Sequence, residues 1–107
     1  IPDPVIRNAI LFIDSHFNDS ISLEQIAASV NLSPYYFLRL FKKYMDSTPH
    51  EYLTQARLKH AMRLLKQSRQ SLDSIADQCG FNSATHFIRS FRQRLSMTPG
   101  QYRQLKF

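Results

Sequence analysis

The stretch STPHEY occupies residues 47–52, and MTPGQY occupies residues 97–102. Both write Thr-Pro-x-x-Tyr, fifty positions apart, in a chain of 107 residues. Working outward from this pair, Phe37, Arg39 and Phe41 meet Phe87, Arg89 and Phe91 at the same offset, and Lys42 meets Arg92. Farther upstream the offset falls to 49, where SLEQIA from Ser22 matches SLDSIA from Ser71. The one-residue difference lies around the turn between VNLSPYYF and CGFNSATHF, and loops tolerate insertions. The chain therefore holds two copies of one supersecondary unit. Two copies make a tandem pair rather than a solenoid, which needs three or more repeats.

Each copy reads as helix, turn, helix. Ser22 and Ser71 are suited to cap the first helices, on which Leu23, Ile26, Ala27 and Val30 form a stripe that Leu72, Ile75, Ala76 and Cys79 repeat. A short break follows. Gly80 suits a left-handed helix end there, and Asn31 is the next most tolerant residue type. Ser33 with Pro34 starts the next helix in copy one; Asn82 or Ser83 does so in copy two. Thr48 and Thr98 read as N-caps with Pro49 and Pro99 at the first helical position. Tyr52 and Tyr102 then fall one turn in, placed to pack back on Phe41 and Phe91. The repeated motif is structural punctuation, and a turn this tight between two helices matches the DNA-binding helix-turn-helix.

Composition agrees with an all-α chain of about seven helices. Hydrophobic residues make up 43%, only 2 Gly are present, and no stretch alternates as a strand would. The balance of 14 Lys+Arg against 8 Asp+Glu gives +6, with a pI near 9.8, a charge that fits a polyanion, an anionic surface or an acidic partner. A single Cys excludes an internal disulfide and suits a reducing cytoplasm. No apolar run approaches membrane-spanning length. The chain begins at Ile1 without Met, so we expect a piece of a longer protein.

The second helix of each copy, about residues 34–45 and 83–95, carries the functional expectation. At about 100° per residue, Phe37, Leu40, Phe41 and Tyr44 turn inward, as do Phe87, Phe91 and Leu95. The outward faces hold cations and small or apolar groups with no carboxylate, which favours a polyanion. Arg39 and Arg89 can make bidentate contacts to guanine, while Tyr35, Leu38, Ala84 and Thr85 can meet other base edges. Ser33, Lys42, Lys43, Ser83, Arg92 and Arg94 suit phosphates. Set against this, Arg39 and Arg89 could instead form surface salt bridges, and Tyr35 and Leu38 could pack on the preceding helix; Ile88 reads as core rim.

Residues 49–67 form one helical pattern without a breaker. Nineteen residues at about 1.5 Å each make a rod of roughly 28 Å, against about 34 Å between successive major grooves on one face of B-DNA. We therefore divide the chain into a first module with its supporting N-terminal helix at 1–47, a linker helix at 48–67 and a second module at 68–107. Asp3 should cap a first helix whose stripe is Ile6, Ala9, Ile10, Ile13 and Phe17, and residues 99–105 should form a short last helix. Leu11 and Phe12 lie off that stripe, as surface residues or facing a further domain.

With IADQCGFNSATHFIRSFRQRLSMTPGQYR (75–103), SLEQIAASVNLSPYYFLRLFKKY and RLKHAMRLL taken together, the chain resembles the DNA-binding domain of the AraC/XylS family of bacterial transcription regulators, from about residue 5 to residue 105. The resemblance implies seven helices, two helix-turn-helix units bridged by a long helix, binding to double-stranded promoter DNA, and usually activation through RNA polymerase. It also implies effector and dimerisation domains preceding this region, so the segment itself should be monomeric and any dimer should form elsewhere. The family often reaches bases from the positions of Arg39 and Arg89. His86 stands where the family commonly has Tyr; Asp46, Ser96 and Asn31 stand where Gly is frequent.

Other classes fit less well. His16, His50, His60 and His86 lack metal-ligand spacing, Cys79 sits on an apolar stripe, and no Gly-rich phosphate loop is present, which argues against an enzyme and against any cofactor. A helical adaptor for an acidic partner is the main alternative, opposed by the doubled Arg register. RNA is disfavoured because A-form major grooves exclude such helices. The expected location is the bacterial cytoplasm, at the nucleoid when DNA is bound.

Overall fold

The computed structural model describes residues 3–106; residues 1, 2 and 107, which belong to the expected end segments, lie outside the described residues. Among the described residues the chain forms seven α-helices and no strand. They are α1 (Pro4–His16), α2 (Leu23–Ser29), α3 (Pro34–Met45), α4 (Pro49–Gln67), α5 (Leu72–Gln78), α6 (Ala84–Leu95) and α7 (Pro99–Gln104). Contacts divide the chain into two compact units, Ile1–Gln55 and Ala56–Phe107, with the boundary inside α4.

Each unit has its own core. In the first, Ile6, Ala9 and Ile13 of α1 meet Ile26 and Ala27 of α2, Phe37 and Phe41 of α3, and Leu53 of α4. In the second, Leu58, Ala61 and Leu65 of α4 meet Ile75, Ala76 and Cys79, then Phe81, Phe87 and Phe91. Thus α1 and the later part of α4 do the same work, each laying an apolar stripe across one helix-turn-helix. Leu11 is 58% exposed, whereas Phe12 stacks on His16 with ring centroids 4.3 Å apart.

The turns follow from their residue types. After α2, Asn31 takes φ 61°; its N–H donates to Ala28 O at 3.1 Å and Leu32 N–H donates to Ala27 O at 3.0 Å. After α5, Gly80 takes φ 88°, with Gly80 N–H to Asp77 O at 3.2 Å and Phe81 N–H to Ala76 O at 2.9 Å. These pairs are the two bonds of a Schellman helix end, whose left-handed residue favours Gly and then Asn. Ser33 caps α3, and Ser83 rather than Asn82 caps α6.

The Thr-Pro-x-x-Tyr motif has more parts than its spelling shows. Thr48 Oγ1 accepts the Glu51 N–H at 3.1 Å while Glu51 Oε1 accepts the Thr48 N–H at 2.8 Å. Thr98 and Gln101 repeat the exchange at 3.1 and 2.9 Å. Each is a capping box. The tyrosines pack as expected, Tyr52 on Phe41 at 6.1 Å and Tyr102 on Phe91 at 5.6 Å, both edge to face. Immediately upstream, Asp46 and Ser96 end α3 and α6 in the left-handed region at φ 56° and 58°. One inward expectation fails. Tyr44 is 41% exposed, with the Lys43 ammonium 5.4 Å from its ring, because Met45 takes the inward place in the last turn of α3.

A Cβ in the left-handed region costs about 1–2 kcal/mol, partly offset in Ser96→Gly by the larger unfolded-state entropy of glycine. We expect Ser96→Gly to stabilise the chain by roughly 0.5–1 kcal/mol, or about 2–8 °C in Tm. Gly80→Ala should destabilise it by about 1–2 kcal/mol. Thermal melts decide this; an unchanged Tm for Ser96→Gly would remove backbone strain from the description of that turn.

Candidate nucleic-acid interface

Burial of Phe37 and Phe41, both 0% exposed, fixes which side of α3 faces out. At about 100° per residue, Tyr35, Arg39 and Lys42 share the side opposite the two rings. All three are exposed, Tyr35 at 71%. In α6 the fully buried Phe87 and Phe91 do the same for Thr85, Arg89 and Arg92, which are exposed. Neither helix contains a carboxylate. Among the described residues neither Arg39 nor Arg89 is held in a salt bridge. The Arg39 guanidinium instead lies over the Tyr35 ring, 5.7 Å from its centroid.

The other expected residues are distributed around these faces. Lys43 is exposed on the flank of α3 beside Arg39. Leu38 is half-buried and lines an apolar groove of about 200 Å³ with Leu23, Ile26, His50 and Leu53, so its side chain is shared between the preceding helix and the surface. Ala84 is half-buried as well. Arg94 is exposed, but it lies about half a turn around α6 from Thr85, apart from Arg89 and Arg92. Ser33 and Ser83 are exposed N-caps whose hydroxyls accept the Tyr36 N–H at 3.4 Å and the His86 N–H at 3.0 Å.

Tyr36 was passed over in the sequence and belongs to this surface. It is 54% exposed and, with Arg39, Leu40 and Lys43, lines an open hollow of about 320 Å³ along α3. On the helical wheel it lies about 100° from both Tyr35 and Phe37, between the outward and inward faces. The last turns hold Lys42 and Lys43 in α3, and Arg92 and Arg94 in α6, where cations also stabilise the helix dipole.

Two of the histidines have local hydrogen-bond partners: His16 Nδ1–H donates to Phe12 O at 2.9 Å, and Arg63 donates to His60 Nδ1 at 2.6 Å. His86 packs edge-on against Phe81 with its Nδ1 buried and without a hydrogen-bond partner among the described residues. Burial, and then the nearby Arg63 charge, lowers the His60 pKa. Among the described residues no group of three or more His, Cys, Asp or Glu is arranged to hold a metal, and no helix is long and apolar enough to cross a membrane.

Two tight helix-turn-helix units, each exposing a cationic second helix, define a DNA-binding domain. Residues 26–105 match the family model described as a helix-turn-helix domain, and the chain belongs to that family, the AraC-type DNA-binding domains of transcription regulators. It is 40% identical over 102 residues to the regulatory protein PocR of Salmonella typhimurium, covering 95% of this chain and 34% of PocR. The chain thus spans about a third of the length of the curated relatives it matches. The C-terminal domain of AraT, a response regulator from Geobacillus stearothermophilus, superposes with a TM-score of 0.93 at 28% identity, covering 98% of this chain and 88% of that one. The DNA-binding domain of the global transcriptional factor AdpA, solved in complex with a target DNA, superposes with a TM-score of 0.89 at 30% identity, covering 94% and 91%. The family and these relatives are regulators, not enzymes.

Cys79 is 1% exposed, and burial pushes its thiol up from 9.0 to about 11, against a smaller opposing effect of Arg63. The thiolate at pH 8 is then about one part in a thousand, so alkylation of the native chain should be slow and should follow unfolding. The sign of the linkage follows: above about pH 9 the unfolded state releases this proton while the folded state keeps it, so stability falls between about pH 9 and pH 11. A Cys79→Ala variant should lose that part of the decline in pH-dependent melts. Rapid labelling of folded protein at pH 8 would contradict the burial.

Proposed function

We propose that α3 and α6 each enter a major groove and that the two grooves are successive turns of one non-palindromic promoter site of about 20 bp. The observation that carries this reading is the matched register of Tyr35, Arg39 and Lys42 with Thr85, Arg89 and Arg92 on two carboxylate-free faces. Arg39 and Arg89 read guanines, with Tyr35, Leu38, Ala84 and Thr85 against neighbouring base edges. Ser33, Lys42, Lys43, Ser83, Arg92 and Arg94 hold phosphates; Lys42 and Arg92, which share the outward face with the two arginines, have the strongest support among them. Segments 1–47 and 68–107 act as the reading modules, and the helix across 48–67 connects them.

The two half-sites are dissimilar because the faces differ, with Tyr35 and Leu38 in one and Thr85 and Ile88 in the other. In this reading the domain works as a monomer in the bacterial cytoplasm and at the nucleoid. It activates transcription by bringing RNA polymerase to the promoter, and any dimerisation lies in another part of the protein. The lactose operon transcription activator of Staphylococcus xylosus, 32% identical over 98 residues, supports the activating role.

Selection from random duplexes, sequencing and a salt titration test the proposal. One enriched asymmetric site with two unlike halves is expected. Uniformly weak, salt-sensitive binding without enrichment would refute sequence reading, and a shallow salt dependence would point to a protein partner. Arg39→Ala or Arg89→Ala should each weaken binding by about 1–3 kcal/mol and relax one half-site; equal loss on all sequences would make them phosphate contacts. Lys42→Ala should weaken binding uniformly and lower the salt slope by about one unit, and an unchanged slope would remove Lys42 from the interface.

A further inference from the structure

Tyr35 is a large aromatic residue left 71% exposed on the outward face of α3. Its ring lies under the Arg39 guanidinium, one helical turn on, at 5.7 Å from centroid to Cζ. A guanidinium over a tyrosine face is attracted by the ring quadrupole, and a side chain already held in place loses less rotamer freedom when it binds. In α6 the equivalent of Tyr35 is Thr85, which has no ring to offer Arg89. The two arginines therefore share a register but not a support.

We propose that Tyr35 is a positioning residue. It holds the Arg39 guanidinium over its ring, so that the first unit discriminates its Arg-contacted base pair more sharply than the second unit does. This rests on the reading of α3 and α6 as base-reading helices. Tyr35 acts through Arg39, and the asymmetry between half-sites arises from support as well as from contact.

The test is a double-mutant cycle on the 107-residue chain with Tyr35→Leu, Arg39→Ala and the pair. Binding is measured to the duplex enriched from the random pool and to duplexes changed at the base pair whose preference Arg39→Ala abolishes. Tyr35→Leu should lower discrimination at that pair about 2- to 5-fold and have no further effect once Arg39 is Ala. Tyr35→Phe, which keeps a ring, should restore it. Thr85→Tyr should raise discrimination at the Arg89 pair by a similar factor. In the free protein, ring-current shifts of the Arg39 side-chain protons should persist in Tyr35→Phe and vanish in Tyr35→Leu. Undiminished discrimination at the Arg39 pair in Tyr35→Leu would overturn the proposal, whatever base edge Tyr35 itself touches, as would absent ring-current shifts in the unsubstituted chain. If the unsubstituted chain prefers no duplex, the base-reading assignment itself fails, a result separate from undiminished discrimination in Tyr35→Leu.

Discussion

Two phenylalanines one helical turn apart set the rotation of each recognition helix. Phe37 and Phe41 in α3, and Phe87 and Phe91 in α6, are all fully buried, and each contributes about 1.5–3 kcal/mol by leaving water. Turning either helix by one residue would expose part of that surface and carry Arg39 or Arg89 toward an apolar core, where an unpaired charge is strongly disfavoured. The outward face is therefore a consequence of the inward one. The rings of Tyr52 and Tyr102 close over the second phenylalanine of each pair, so the helix that follows each recognition helix holds its rotation in place. The left-handed residues Asp46 and Ser96 and the capping boxes of Thr48 and Thr98 make that return possible within a few residues.

The same geometry puts the cations in two settings. Lys42, Lys43, Arg92 and Arg94 fall in the last turns of their helices, where the partial negative charge of the helix end favours them before any ligand arrives. Arg39 and Arg89 sit mid-helix, outside that field, and among the described residues have no carboxylate partner. A cation that is already compensated can still meet a phosphate at the rim of a groove. Bidentate hydrogen bonding to a base edge asks for planar geometry and a free guanidinium. The mid-helix arginines on the outward face have no carboxylate partner among the described residues, which supports the proposed division between base and phosphate contacts.

Much of this was legible in the sequence because it is local. Caps, left-handed positions and apolar stripes depend on residues within a few places of one another, so Asn31, Gly80, Thr48 and Thr98 declared their roles by type and spacing. Where the structure departs from the reading or adds to it, a neighbouring residue or a distant partner decided. Tyr44 is exposed because Met45, next to it, takes the inward place in the last turn of α3. Leu38 sits on the outer half of the wheel, yet the groove formed with α2 and α4 half-buries it. The closure of α7 was also out of reach. Arg103 donates to Leu65 O at 3.1 Å and Ser68 O at 3.4 Å, and Lys66 donates to the carbonyls of Arg103 and Leu105. Those partners lie more than thirty positions apart, and no periodicity reports them.

The two copies differ in an informative way. At buried and turn positions they keep the same chemistry even when residues change, with Val30 matched by Cys79, Asn31 by Gly80, and the capping Glu51 by Gln101. On the outward faces they depart from one another, with Tyr35 against Thr85, while the arginine stays in register. Packing and backbone conformation limit the first group, because a wrong volume or a strained φ destabilises the unit whatever it binds. Nothing in the fold limits the second group, since those side chains leave the core unchanged. Two equivalent scaffolds thus aim the same cation outward, and the residues around it are free to differ between the copies, which is the asymmetry the proposed reading of two unlike half-sites draws on.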